Sequence, residues 1–493
     1  MIVSAVKSHF GAKWHQNPFV SISQPTRILI VAYLIYWRVL PTLANLDMQN
    51  LTYAGYTGAI CILNLCTEFL ILLPFLIRSF LGTPIGWLHP LILPTMVGIA
   101  LGLIRNPADL FTPILVWFNV TPTINHTLLN GWSDAAVLAT QLKVNFINLL
   151  AIIATYIGFS MALSSRNILT DRQMHINGFK LGVLFVLCLF VVIFFLQKQG
   201  GIISHVLTLA DGRFRMREMS GHFLVINGFL PYMIILWYAY QPKAFRNPIF
   251  LIGFMVAFAL QFIVTGSRSA LFITLAMTLA VWIFHNHRIP ASRTIIVAMV
   301  SFLLLGVLGQ IRQSGQSGVI NFNALAELSI TDAWEITTQE LIARRTGTDL
   351  AVAALVPEQR DFLYGTTYVA ALAFWVPRAV WHDKPRGAGA HAAALLYSER
   401  ETMDDYRGGG FPVGGASEAY WNFGYLGVLI VFGLFGIVLS VISRWVCRDP
   451  RNPFTVVALL IVNFGLTTPS TTAIVPTLQT FLLLYLLRLL ALR

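Results

Sequence analysis

Apolar runs of about twenty residues alternate with short polar breaks along nearly the whole chain. Their spacing predicts spanning helices near 27–46, 56–77, 86–104, 136–163, 179–197, 222–240, 248–265, 269–285, 294–311, 425–443, 453–467 and 473–490. The period-2 alternation of an outer-membrane barrel is absent. Helices remain, because hydrocarbon offers a backbone N–H or C=O no partner outside its own segment. One stretch is ambiguous. Residues 108–128 ("DLFTPILVWFNVTPTINHTLL") carry two prolines and scattered polar groups, and are expected to be a re-entrant or interfacial piece.

Composition narrows the class. The chain is 56% hydrophobic and 11% charged, where a soluble domain carries about 25% charge. Its mean hydropathy is +0.71. Too few polar groups are present to cover a water-facing surface of this size. The net charge of +12 points to no nucleic acid. The basic residues sit mostly in short loops, without solvent-facing aromatics interleaved. With the N-terminus inside, Arg78, Arg166, Arg172, Lys180, Lys243, Arg246, Arg288, Arg293, Arg444, Arg448 and Arg451 all fall in inner loops, as the positive-inside rule asks. The first 26 residues are mostly polar, so the first span is expected to act as the insertion signal. Cys61, Cys66, Cys188 and Cys447 show no metal or redox spacing and read as packing residues.

The expected architecture is therefore an all-α polytopic membrane protein of about 12 transmembrane helices. Residues 1–310 hold nine spans and 426–493 hold three. Between them, 311–425 form a large extracytoplasmic loop. It carries nine Lys/Arg against 13 of the chain's 21 Asp/Glu, so it is acidic while the remainder is strongly basic. Within it, "GTTYVAALAFWVPRAVW" (365–381) is apolar but broken by Pro377, and predicts a helix lying at the membrane interface.

Candidate chemistry gathers at the outer ends of the spans. "FIVTGSRSALF" (262–272) sets Arg268 between two apolar runs, with Gly266 to permit a tight turn and Ser267 and Ser269 as hydrogen-bonding or capping groups. An arginine beside a helix N-terminus suits an anion, phosphate above all. The bland alternative is an arginine snorkelling to the headgroups. Arg213, Arg215 and Arg217 alternate in "DGRFRMRE", predicting one side of an extended segment or a mixed helical surface. Arg312 ends a span, and Arg378 and Lys384 lie in "FWVPRAVWHDKPRG". Singly each is as ordinary as a solvated or headgroup contact. Jointly they describe a cavity for a multiply charged anion such as pyrophosphate.

The glycine-rich "DDYRGGGFPVGGASEAYWNFGYLG" (404–427) runs directly into a span. Glu418 stands just before that span, and a carboxylate there can act as general base for a sugar hydroxyl. It can equally be a helix-start carboxylate favoured by the dipole. Asp404, Asp405 and His391 are further candidates for the base, and Asp383 reads as structural. No metal, Walker A or dinucleotide motif is present, so neither metal nor cofactor is expected.

"TGSRSALF" between two spans resembles a stretch of the Wzy-type polysaccharide repeat-unit polymerases and their relatives, the O-antigen ligases. "YGTTYVAALAFWVPRAVWHDKP" followed by "GGGFPVGGASEAYWNFGYLGVLIVFGLFG" resembles the C-terminal half of such polymerases. The motif-level likeness covers about 250–430. It implies a GT-C-like glycosyltransferase of the bacterial inner membrane with its active site facing outward. Its donor and acceptor would be undecaprenyl-pyrophosphate-linked oligosaccharides, with a chain-length regulator and a flippase as further partners. Carried onto this sequence, Arg268, Arg312, Arg378, Lys384, Arg215 and Arg217 would hold pyrophosphate, and Glu418 would serve as base. In the ligase alternative, His391 would take the part of a late-loop histidine. A lipid-linked oligosaccharide transporter is the reading from another class.

Overall fold

The computed structural model describes residues 17–40, 43, 54–81, 83–96, 133–161, 178–202, 204–205, 213–265, 268–287, 348–376, 380–396, 413–450, 452–466 and 468–491. Over these the chain is helical, with one two-stranded hairpin. The helices are α1 (Gln24–Leu34), α2 (Ala54–Leu76), α3 (Asp134–Met161), α4 (Gly178–Lys198), α5 (Arg213–Tyr240), α6 (Pro248–Thr265), α7 (Arg268–Asn286), α8 (Thr348–Leu355), α9 (Thr366–Leu372), α10 (Ala388–Leu396), α11 (Gly415–Arg448), α12 (Pro453–Gly465) and α13 (Thr471–Ala491). Strands β1 (Ser79–Phe80) and β2 (Thr83–Pro84) pair antiparallel.

Among the described residues, five helices are long and apolar enough to cross a membrane: α2, α3, α4, α11 and α13. Three shorter apolar helices accompany them, within α6, α7 and α12. The predicted spans at 56–77, 136–163, 179–197, 248–265, 269–285, 453–467 and 473–490 each coincide with a helix. Bulky apolar side chains such as Phe179, Phe190 and Phe69 stand exposed on these helices, as suits a surface facing hydrocarbon. The predicted span at 294–311 and the ambiguous stretch 108–128 lie outside the described residues.

The span expected at 86–104 does not start as a helix: 86–92 are turns, helix is described only over 93–96, and 97–104 lie outside the described residues. The turns are held to Ser21 by a bridge from Gly86. Pro90 and Pro94 lack the N–H a helix needs. The segment also folds around His89, which is fully buried between the rings of Phe19 and Phe159 and accepts the Leu91 N–H on Nδ1 at 3.2 Å. Asn463 of α12 donates to the Leu88 carbonyl at 3.0 Å and ties these turns to the C-terminal helices.

α1 and α2 share a small core of their own with Ile85 and Ile92. Ser23 caps α1, which passes into a π-helical turn at Ile35–Val39. Buried Arg27 donates to the carbonyls of Ile22, Phe75, Ile77 and Ile85. Arg38 and Glu68 form an ion pair at 2.5 Å inside this pair of helices. A charge set among apolar neighbours is tolerable only when paired in this way.

The main core is built on α3 and α11. The two run side by side in the same direction, because Lys143 meets Tyr420 near their starts and Gly158 meets Gly433 further along. Glycine makes the approach possible. A Cβ on Gly158 would strike the backbone of Gly433, and one on Gly436 would strike the backbone of Thr155 and Phe159. Small residues let backbones touch where dispersion, not water, drives association.

Candidate functional site

α11 is two helices joined at a break. Phe423 (φ −143°, ψ 19°) and Gly424 (φ 65°, ψ −155°) leave the helical region. The Gly424 conformation is open essentially to glycine alone. The break strips the Trp421 carbonyl of its normal partner four residues on, and the Leu363 N–H supplies one at 2.9 Å. The segment 357–365 therefore wraps over the break. It ends in the left-handed pair Tyr364 and Gly365, where a Cβ on Gly365 would meet the Phe423 ring. The short first part of α11, Gly415–Asn422, is thereby set apart from the long apolar part.

That short part is wholly buried and carries the site. Gly414 and Gly415 let it start in close quarters. The Gly414 N–H donates to Asp349 of α8 at 2.9 Å, and Gly415 rests on Thr468, Pro469 and Ser470. Glu418 is 0% exposed. One of its carboxylate oxygens accepts the Thr471 N–H at 2.9 Å and the other the Thr471 hydroxyl at 2.6 Å. Thr471 is the first residue of α13, so Glu418 caps that helix from another part of the chain, where a negative charge is favoured. The Thr367 hydroxyl of α9 bonds it as well. Asn422 donates to Thr367 Oγ1 at 2.9 Å and to the Glu418 carbonyl at 2.8 Å. The sequence offered Glu418 as a general base just before a span or as a helix-start carboxylate. The structure turns it inward and occupies both of its oxygens.

Around this knot lie polar atoms that are buried and unpartnered among the described residues: Tyr368 Oη, His391 Nε2, Trp421 Nε1 and Asn422 Oδ1. His391 of α10 stands edge-on to Trp421, ring centroids 6.1 Å apart. Its ring bonds the Arg386 backbone. Burial first, then the Arg386 charge, pushes its pKa below the ordinary histidine value, so the imidazole is neutral near pH 7. Burial first, then the Glu418 carboxylate, pushes the Tyr368 phenol upward, so it stays an O–H donor. Orphaned groups of this kind each cost roughly 1–3 kcal/mol. Four such groups, Tyr368, His391, Trp421 and Asn422, are buried around the first part of α11.

The other face of the same stretch leans on α3. Lys143 donates to the Val356 carbonyl at 2.7 Å, pairs with Glu358 at 3.3 Å and lies 5.2 Å from the centre of the Tyr420 ring. Sequence reasoning took Trp421 for an interfacial aromatic, which the structure buries, and passed over Lys143, Thr367, Tyr368, Asn422 and Thr471. Each is common in type, and only the fold brings them together.

The remaining candidates divide. Glu418 and His391 meet at one junction through Trp421. Lys384 Nζ sits against the carbonyls of Phe374 and Val376, at 3.3 and 3.1 Å, and closes the turns after α9. The two helices expected on either side of the Arg268 stretch are present. α6 ends at Thr265 and α7 starts at Arg268, with two residues between. Fully buried His205, also missed, reaches the Val264 carbonyl at the end of α6 (3.4 Å). Arg213, Arg215 and Arg217 open α5, so the extended alternative is excluded. The side chains of Arg215, Arg217 and Arg268, and all of Arg312, Arg378, Asp404 and Asp405, lie outside the described residues.

Residues 118–492 match the family model for the O-antigen polysaccharide polymerase Wzy. No curated protein and no solved structure matches the chain. The matched region takes in every element of the site, from α3 to α13, and well over half of the 493 residues, and with it the chain belongs to the O-antigen polysaccharide polymerase Wzy family, as a multi-pass membrane protein that polymerises polysaccharide.

Proposed function

We propose that this protein joins undecaprenyl-pyrophosphate-linked oligosaccharide repeat units at the outer face of the bacterial inner membrane, as a metal-independent transferase of the GT-C type. The family match over 118–492 carries the reading. In the reaction, an acceptor sugar hydroxyl attacks the anomeric carbon at the reducing end of the donor glycan. The bond from that carbon to the pyrophosphate oxygen breaks. Undecaprenyl pyrophosphate leaves with the electron pair, and its growing negative charge is met by arginines, Arg268 first, then Arg378 and Arg312, with Arg215, Arg217 and Lys384 around them. The hydroxyl proton passes to His391 Nε2, the unpartnered nitrogen of a neutral ring. Glu418, with both oxygens engaged, holds α9, α11 and α13 in register around that nitrogen. The partners in this scheme are the lipid-linked donor and acceptor, membrane lipids, a chain-length regulator and a flippase.

The test is purified protein in detergent with a synthetic lipid-pyrophosphate repeat unit and no nucleotide. A ladder of products that persists in chelator is expected. A single transfer to lipid A core establishes a ligase instead. Transbilayer movement of the lipid without any covalent product establishes a transporter.

The same assay across pH tests His391. A base with a lowered pKa stays deprotonated as the pH falls to the ordinary histidine value near 6.5, and loses rate only below it. The acid limb of kcat is expected below 6.5 in the wild type and absent from the residual rate of His391→Gln. An unchanged limb in the variant removes His391 from the proton transfer. The fold shares this sign. The folded ring binds fewer protons than the unfolded one, so stability present above about 6.5 is lost as pH falls through the folded value.

A further inference from the structure

His205 is fully buried, yet it takes no part in the knot around Glu418. The chain returns it to the end of α4. Gly200 (φ 85°) and Gly201 (φ 93°) turn the backbone after Lys198, and the His205 ring comes to rest edge-on to Phe195, centroids 5.5 Å apart. Its Nε2 lies 3.4 Å from the Val264 carbonyl, and the ring also bonds the Ile263 backbone. Burial, against the pull of these bonds, lowers the ring's pKa below the ordinary histidine value, so one nitrogen alone carries a proton near pH 7. A carbonyl only accepts, so that nitrogen is Nε2. Nδ1 is buried and without a partner among the described residues. Ile263 and Val264 belong to the last turn of α6, where a helix leaves its final C=O groups without N–H partners of its own. His205 therefore closes the end of α6 from another part of the chain. One turn back, Gln261 accepts from Asn227 of α5 at 3.1 Å. The end of α6 is thus tied to the chain after α4 and to α5 by polar contacts. Among helices this apolar, a shifted polar group finds no new partner, so such contacts hold register.

α7 starts at Arg268, two residues after the end of α6. Such a connection spans at most about 10–11 Å from Thr265 to Arg268. A link this short passes a shift of its anchor on to the residue it delivers. We infer that His205 is a positioning residue for Arg268: its imidazole N–H holds the last turn of α6, and so sets where α7 and its first arginine begin. This rests on the polymerase reading above, in which Arg268 meets the charge of the leaving pyrophosphate, and adds what holds that cation in place. Displacement of a preorganised group by about 1 Å costs about 10²-fold in rate. The loss falls on the transition state, where the pyrophosphate charge develops, and spares ground-state binding.

The test is steady-state polymerisation by purified variants in detergent, with the lipid-pyrophosphate repeat unit varied. His205→Phe keeps a ring against Phe195 and loses the N–H. It is expected to lower kcat about tenfold or more and to leave KM within about twofold. His205→Gln offers an amide N–H₂ to the same carbonyls and is expected to recover kcat to within about threefold of the wild type. A role in packing alone predicts the reverse order, since phenylalanine fills the space of the ring and glutamine does not. In an Arg268→Ala background, His205→Phe is expected to cost less than about a further twofold, because the group it positions is gone. Where phenylalanine disturbs insertion, His205→Met replaces it, being close to glutamine in length and lacking the donor. Wild-type kcat in the donor-less variants overturns the inference. So does an equal loss in both backgrounds, which marks His205 as a general support of the fold. Backbone hydrogen exchange over 262–270 needs no turnover. It is expected to rise in His205→Phe and to return toward the wild type in His205→Gln, and unchanged exchange removes the clamp whatever the activity. An inactive Arg268→Ala beside a fully active His205→Phe removes only the positioning role. A fully active Arg268→Ala removes the pyrophosphate contact on which it rests.

Discussion

Arg268→Ala is expected to abolish polymerisation while the protein still inserts and accumulates to wild-type levels. The substitution falls on the first residue of α7, two residues after the end of α6. In the proposed reaction it removes the cation next to a helix N-terminus that would meet the charge of the leaving pyrophosphate in the transition state. Loss of one such preorganised donor costs about 10²–10³ in kcat. Arg268→Lys is expected to recover little, because an ammonium lacks the planar fork that binds two phosphate oxygens together. Glycan length on a gel, beside immunoblots of the membrane fraction, decides it. Unchanged glycan length overturns the assignment.

Glu418→Ala is expected to lower folded protein and activity together, with Glu418→Gln lying between it and the wild type. The alanine leaves the N–H and the hydroxyl of Thr471 buried with no acceptor. Each orphan costs about 1–3 kcal/mol, against a total stability of about 5–15 kcal/mol for a typical domain. Glutamine keeps one carbonyl oxygen for these donors but turns an amide N–H₂ toward the other. Thermal unfolding of the detergent-purified variants, alongside the ladder assay, separates two roles for the carboxylate. A Glu418→Ala protein that unfolds like the wild type and is catalytically dead shows Glu418 to be the base, and the framing role drawn from its geometry falls.

The helices were legible where an apolar run ended in plain punctuation. α6 begins at Pro248 and α12 at Pro453, after an Asn452 cap, and both were read almost to the residue. Residues 86–92 were misread because hydropathy averages across prolines, and burial of His89 by distant rings leaves no local trace. The span read at 425–443 starts directly after the break at Phe423–Gly424, but the buried helical turns Gly415–Asn422 ahead of it were hidden in a glycine-rich stretch. Within the site, Glu418 and His391 were found by residue type. Their surroundings were not, since Tyr368, Trp421 and Thr471 are unremarkable in sequence. Glu418 was thus taken for a general base or a carboxylate at its own helix start when its partner is a helix start far along the chain.

The distance between Glu418 and that partner has a consequence for the order in which the protein is made. Thr471 follows Glu418 by 53 residues. While α11 leaves the ribosome, the carboxylate has no α13 to cap, although Asp349, Leu363 and Thr367, already synthesised, can hold the segment Gly415–Asn422. α12 and α13 must both be synthesised and inserted before the two oxygens find their donors. A nascent chain that already holds Glu418 therefore still lacks the joint between α11 and α13. Assembly of the site is timed to the arrival of α13, so an unfinished molecule in the membrane carries the parts of a polymerase without its geometry.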